Sequence, residues 1–251
     1  MMYRVSPIVK QLLIINIIFF VGSTLSFNSD FIYSLFGLYF PENPQFKFWQ
    51  IITHMFMHGN IQHILFNMFA LWMFGSSVES IFGAKKFLFF YITCGLGAAF
   101  IQILFLYYVF YSNLDLLVSS GYDQSSILNI LAEGKYNSSW EGILGPKGLL
   151  DFNSSFFSSM VGASGAIMGV LVAFGMFFPD SKLMLIFLPV PIKAKYFIPG
   201  IILLDLFSAI TGQAIFSPSN TAYVAHIGGA LTGFLIMYYW KKNQFTKNRW
   251  Y

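Results

Sequence analysis

The sequence predicts an all-α integral membrane protein, a bundle of six transmembrane helices with both termini in the cytoplasm. Three observations carry that expectation. Hydrophobic residues make up 57% of the chain and charged ones only 10%, with a mean hydropathy of +0.66, whereas a soluble domain is about 25% charged. Six apolar stretches approach the roughly 20 residues needed to cross a bilayer. The basic residues are also lopsided: with the N-terminus inside, only Lys47, Lys135 and Lys147 of the 14 Lys and Arg fall in outer segments. The others, from Arg4 and Lys10 through Lys85, Lys86, Lys182, Lys193 and Lys195 to Lys241, Lys242, Lys247 and Arg249, fall inside, as cytoplasmic loops require. The net charge of +4 sits in short clusters between apolar runs, which argues against a nucleic-acid partner. The single Cys94 allows no internal disulfide and no cysteine metal cluster.

Span one is expected at Gln11–Phe27. It lacks a clear small-residue cleavage site and reads as a first span or signal anchor. Residues 28–59 follow outside, with Phe31, Tyr33, Phe36, Phe48 and Trp49 suited to the headgroup region. Span two is Ile61–Phe82, opened by the turn pair Gly59-Asn60, and span three is Phe87–Tyr111. Residues 112–159 form a polar outer insertion, rich in Ser, Asn and Gly and unable to span. Ile127, Leu128, Ile130 and Leu131 fit one short amphipathic helix; the remainder reads as a tolerated surface insertion. Span four is Met160–Phe178, stopped by Pro179-Asp180. Span five is Tyr196–Gly212 and span six Ala222–Trp240. There is no tandem repeat and no second soluble domain, so residues 1–251 read as one membrane domain.

Spans two, four and six then all run from outside to inside, and each opens on polar residues: His63 and Asn67, Ser164, and His226. At about 1.5 Å of rise per residue they fall in one layer below the outer surface. A serine is a poor nucleophile until a base takes its proton, and His226 is the only histidine outside residues 54–63. A tetrahedral oxyanion needs preorganised donors. The Asn67 amide, the His63 ring and the Ser164 backbone N–H supply them. Taken singly, Ser164 in Gly162-Ala163-Ser164-Gly165 is more often helix packing, and His226 or Asn67 interhelical hydrogen bonding. Their coincidence in one layer favours the catalytic reading. Gly165 with Gly169, and Gly229 with Gly233, are two G-x-x-x-G pairs that let spans four and six approach closely. His54 and His58, without a carboxylate or cysteine beside them, read as hydrogen-bonding groups rather than metal ligands. No acidic partner for His226 is evident, which points to a Ser-His dyad. Asp205, midway along span five, reads as a structural group below that layer.

These residues resemble the rhomboid family of intramembrane serine proteases. The likeness covers about residues 49–240. It rests on His63-Ile64-Leu65-Phe66-Asn67, on Gly75 and Glu79, on Gly162-Ala163-Ser164-Gly165, and on Ala225-His226-Ile227-Gly228-Gly229 with Gly233. The resemblance implies a rhomboid-like six-helix fold with a water-filled cavity open to the outer side. It also implies Ser164 as nucleophile, His226 as base, and an oxyanion hole of His63, Asn67 and the Ser164 amide. The substrates would be transmembrane proteins, cut near the outer membrane boundary amid the lipid, with neither metal nor cofactor. Two residues depart from the family pattern: Trp49-Gln50 stands where Trp-Arg is common, which bears on loop rigidity, and Met168 replaces an aromatic that packs on the histidine. Span five, with Pro199, Gly200 and the uncharged loop Thr211–Thr221, would be a lateral gate. The rival classes are a non-catalytic rhomboid-like scaffold or chaperone that binds transmembrane helices, which the intact Ser164/His226 pair disfavours, and a small transporter, which the lack of an inverted repeat disfavours. Short loops and no transit-like N-terminus favour a bacterial plasma (inner) membrane.

Overall fold

The computed structural model describes residues 5–185, 188–213 and 222–247. Arg4, Arg249 and most of the Thr211–Thr221 loop lie outside these residues. The chain runs through α1 (Pro7–Leu25) into the segment expected on the outer side, which holds α2 (Ser29–Phe36) and α3 (Gln50–Thr53). It returns through a rod made of α4 (Ile61–Ala70), a π-turn at Leu71–Gly75 and α5 (Ser76–Phe82). Gly83, at φ 73°, turns the chain directly into α6 (Ala84–Ser119). Outside follow α7 (Gln124–Ala132) and α8 (Glu141–Phe157), and then α9 (Ser164–Phe177). A hairpin of β1 (Lys182–Leu185) and β2 (Leu188–Lys193), α10 (Ala194–Thr211) and α11 (Tyr223–Lys247) complete the order. Among the described residues, four rods are long and apolar enough to cross a membrane: Pro7–Leu25, Ile61–Phe82, Ala84–Ser119 and Ala194–Thr211.

Three bounds differ from the sequence expectation. α6 has 36 residues, roughly 54 Å at helical rise, and projects well past Tyr111. The connection after Pro179, to which the sequence assigned no structure, is an antiparallel hairpin pairing Lys182 with Lys193 and Leu183 with Ile192. At its base Asp180 accepts from Lys193 and Lys195, each at 3.0 Å. Most consequential, α9 begins at Ser164 rather than Met160. Met160 is held extended by paired backbone bonds with Leu38, at 2.9 and 2.8 Å, and Gly162 has φ 127°. No helix forms until both constraints are past.

α9 has 14 residues, roughly 21 Å, and every residue from Gly165 to Phe174 is buried. A helix apolar on all sides is stable only when enclosed, and α6, α10, α11 and the π-turn surround it. The enclosure depends on missing side chains. A Cβ on Gly229 would fall on the Gly165 carbonyl, and one on Gly233 would come within 2.7 Å of the Gly169 Cα. The α9 and α11 backbones therefore touch. At the inner end Glu79, 3% exposed, accepts from the backbone N–H groups of Ile8 (3.0 Å) and Val9 (2.9 Å) and from the Ser6 hydroxyl. A carboxylate at a helix N-terminus meets its unpaired N–H groups and positive end, so Glu79 fixes α1 to α5.

The outer insertion is more than a tolerated loop. α7 forms over the residues expected to be helical, but α8 also forms, interrupted at Gly145-Pro146. With the outer end of α6 these helices build a second apolar core from Phe110, Leu114, Ile127, Trp140 and Phe152, joined by Phe40 from the first outer segment. Phe110 and Phe152 stack at 5.0 Å, and Trp140 meets Phe152 edge-on at 5.9 Å. Asn43 ties this cap to the earlier loop by donating to the Phe156 carbonyl at 2.7 Å.

The glycine contact yields a direct test. Gly229→Ala forces two backbones apart and is expected to cost about 1–3 kcal/mol as overpacking. Gly22→Ala in α1, where nothing lies within 4 Å of the added carbon, is expected to be neutral or better. Thermal unfolding in detergent compares the two, and equal melting temperatures contradict the contact.

Candidate active site

The site is assembled where the starts of α4, α9 and α11 meet. Asn60 caps α4, its side chain accepting the His63 N–H at 2.8 Å. That cap sets His63 in the first turn and Asn67 one turn further, on the same face. Ser164 is the first residue of α9, and Ala163 before it offers no capping side chain. The first N–H groups of this buried helix are thus left for another acceptor. His226 lies in the first turn of α11.

The Ser164 hydroxyl and His226 Nε2 are 2.8 Å apart. His226 is 9% exposed and Ser164 half-buried. On the far side of the ring, Nδ1 stands 2.7 Å from Asp205 Oδ2. This corrects the placement of Asp205 below the layer and the inference that His226 has no acidic partner. The depth estimate began span four at Met160. α9 starts at Ser164 instead, and one imidazole reaches both Ser164 of α9 and Asp205 of α10, so the three side chains share one layer.

Gly162 shows where His63 and Asn67 point. A Cβ there would come within 2.7 Å of His63 Nε2 and 3.7 Å of Asn67 Nδ2. With φ 127° as well, the position accepts only glycine, and its bareness leaves both nitrogens facing the strand that leads into Ser164. Asn67 Nδ2 is 3.0 Å from His58 Nε2, so the amide donates to that ring and keeps a second N–H free for the site.

The outer loop holds these groups from above. The Gly162 N–H donates to the His54 carbonyl at 2.9 Å, and the Tyr33 hydroxyl donates to the His58 carbonyl at 2.6 Å. His54 Nδ1 donates to the Gln50 carbonyl at 2.9 Å. Gln50, fully buried, donates from Nε2 to the carbonyls of Ser34 (2.9 Å) and Gln45 (3.0 Å) and accepts the Tyr39 N–H at 3.3 Å. A neutral amide thus ties three points of the loop, at the position where the resemblance stated above implies an arginine. Sequence reasoning missed this, although an amide offers donors and an acceptor together. Met168 is buried in the main core. Gly165, Gly169, Gly229 and Gly233 all lie at the α9–α11 contact.

The chain is similar in sequence to known proteins. The family model described as the rhomboid domain matches residues 45–123 and 124–243. The chain is 28% identical over 214 residues to the mitochondrial presenilin-associated rhomboid-like protein of Homo sapiens, covering 82% of this chain and 43% of that protein. It is 27% identical over 192 residues to the mitochondrial Rhomboid protein 1 of Saccharomyces cerevisiae, covering 76% and 42%. It is 29% identical over 197 residues to the Rhomboid protease AarA of Providencia stuartii, covering 75% and 54%. The chain therefore spans less than half the length of the mitochondrial relatives it matches. An integral membrane protein agrees with these relatives and with the apolar helices. The expected bacterial inner membrane finds no support in them, since mitochondrial proteins are prominent among them.

The buried histidines of the outer loop predict a pH dependence. Burial holds His54 down to about 4, and burial together with nearby His63 holds His58 down to about 3. An unfolded histidine takes its proton near 6.5. Between those values the unfolded chain binds protons that the folded chain refuses, so the stabilisation is complete above 6.5 and is lost as pH falls towards 4. Each ring contributes up to about 1.4 kcal/mol per pH unit in that window. Melting temperatures followed from pH 7.5 to 4.5 are expected to fall, and less steeply in His58→Gln, which keeps an acceptor for Asn67 without titrating. An unchanged slope in His58→Gln contradicts this assignment.

Proposed function

The chain belongs to the rhomboid family, and on that premise we propose that it is an intramembrane serine endopeptidase acting on transmembrane protein substrates near the outer membrane boundary. The observation that carries the proposal is the 2.8 Å contact between the Ser164 hydroxyl and His226 Nε2 at the mouth of a buried helix. It is supported by the donors gathered beside that contact and by a relative named as a rhomboid protease. The chain is proposed to be one rhomboid domain with its core at about residues 49–240, crossing the membrane six times with both termini in the cytoplasm. The basic residues and the paired orientations of α4, α9 and α11 support that topology.

In this reading His226 Nε2 takes the Ser164 proton as Oγ attacks the scissile carbonyl carbon. The carbonyl π electrons move to oxygen, and the resulting oxyanion accepts from the Ser164 N–H, the Asn67 amide and the His63 ring. His226 then passes the proton to the leaving amine, and the C–N bond breaks. Water entering from the outer side repeats the sequence on the acyl-enzyme. Substrate is proposed to arrive laterally from lipid past α10. That helix rests chiefly on α11 and exposes Leu203, Phe207 and Ile210. The complete set of Ser164, His226 and donors favours catalysis over a scaffold role.

Reconstitution with a labelled transmembrane substrate tests the reading. Ser164→Ala and His226→Ala are each expected to lose at least about 10³-fold in kcat. A fluorophosphonate is expected to label wild type and not Ser164→Ala. Asn67→Ala is expected to lower kcat about 10²- to 10³-fold as an oxyanion donor. Cleavage that survives Ser164→Ala would falsify the mechanism. Unchanged cleavage after α10 is cross-linked to α4 refutes lateral entry.

A further inference from the structure

We infer that Asp205 is a positioning residue of the hydrolytic centre. Through its 2.7 Å contact with Nδ1, it holds His226 in the tautomer that leaves Nε2 able to take the serine proton. The inference rests on the protease reading and extends it from a dyad to a Ser164-His226-Asp205 triad.

The first support is the placement of Asp205 on its helix. α10 is largely exposed on its outer half: Leu203, Leu206, Phe207 and Ile210 are 63, 42, 46 and 75% accessible. Its buried positions are Ala194, Ile198, Asp205 and Ser208. Ala194 and Ile198 are four apart, Asp205 is seven beyond Ile198, and Ser208 is three further on; that spacing defines one stripe of a helix. Asp205, 1% exposed, therefore faces the protein at a position where an apolar residue packs at no cost. An intramembrane carboxylate is costly to hold unless paired and marks function by default.

The second support is proton chemistry. A neutral imidazole carries one N–H. To act as base, Nε2 must hold a lone pair towards the Ser164 hydroxyl, and the proton must then sit on Nδ1. A carboxylate only accepts, so at 2.7 Å Asp205 Oδ2 demands the Nδ1–H tautomer. When Nε2 takes the proton from Ser164 Oγ, the ring becomes a cation against a fixed anion, in a site screened from water. No proton moves to Asp205. It stabilises the imidazolium, which forms as the Oγ–carbon bond is made, and the charge pair is relaxed when Nε2 releases the proton to the leaving amine. The enclosed low-dielectric setting strengthens this electrostatic term relative to water.

The third support is that the contact lies across two helices. Asp205 on α10 and Ser164 on α9 approach the same ring from opposite sides, so the ring plane is fixed at both nitrogens.

The experiment uses the full chain in detergent with ¹⁵N-labelled histidine rings. There are four histidines, and His226→Ala assigns the signal. Wild-type His226 is expected to be protonated at Nδ1. In Asp205→Asn, whose amide is able to donate to Nδ1, the ring is expected to shift towards the Nε2–H form. kcat is expected to fall by up to about 10⁴-fold with KM unchanged, the loss seen when the acid of a serine triad is made neutral. Asp205→Glu, which keeps the carboxylate, is expected to retain the wild-type tautomer and more activity than Asp205→Asn. A wild-type ring protonated at Nε2 overturns the assignment. So does a folded Asp205→Asn with wild-type kcat, or with reduced kcat and an unchanged tautomer. If Asp205→Asn does not fold, the wild-type signal and Asp205→Glu decide. Failure of the protease reading is separate: wild-type protein would neither cut nor take a fluorophosphonate, whereas the tautomer is read without substrate.

Discussion

The backbone contact between α9 and α11 is the constraint on which the rest of the molecule depends. Gly165 and Gly229 meet with no room for a Cβ between them, and Gly169 and Gly233 repeat the approach one turn on. Only at that separation do the first residue of α9 and the first turn of α11 bring Ser164 and His226 to 2.8 Å. The same closeness buries α9 on all sides, and that burial makes a short apolar helix tenable. In a membrane, where lipid tails are as apolar as leucine, close packing and hydrogen bonds rather than hydrophobic exclusion drive helix association.

A second set of constraints acts from outside the bundle. The outer loop is fastened by backbone carbonyls and neutral donors. Gln50 binds Ser34, Gln45 and Tyr39, His54 binds Gln50, and Gly162 binds His54. The Gly162 bond, with the pairing of Met160 and Leu38, holds the extended strand that leads into α9. The second apolar core over α6, α7 and α8 is joined to the same loop through Phe40 and Asn43. The insertion thus braces the strand entering the site.

Much of this was legible in the sequence, for physical reasons. Composition and basic residues gave a membrane protein, and alternating span directions aligned His63, Asn67, Ser164 and His226. The glycine spacing indicated which helices touch. The contact of Asp205 with His226 was hidden because it joins residues 21 apart on two helices, and the start of α9 because residues 160–163 are compatible with helix by composition, and only the pairing of Met160 with Leu38 and the positive φ of Gly162 exclude it. Gln50 was underrated because a single amide's three partners come from segments up to 16 residues away. α8 was hidden by the Gly145-Pro146 break and its polar neighbours, and the β hairpin by prolines at 189 and 191.

We propose that Ser164, activated by His226, attacks a carbonyl whose developing charge is received by His63, Asn67 and the Ser164 N–H. A structure of the protein inactivated by a fluorophosphonate tests this most directly. A phosphorus–oxygen bond to Ser164 is expected, with a phosphoryl oxygen within about 3.2 Å of those donors. Phosphorylation of a different residue, or an adduct on Ser164 whose phosphoryl oxygen turns away from Asn67 and His63 into lipid, would contradict it.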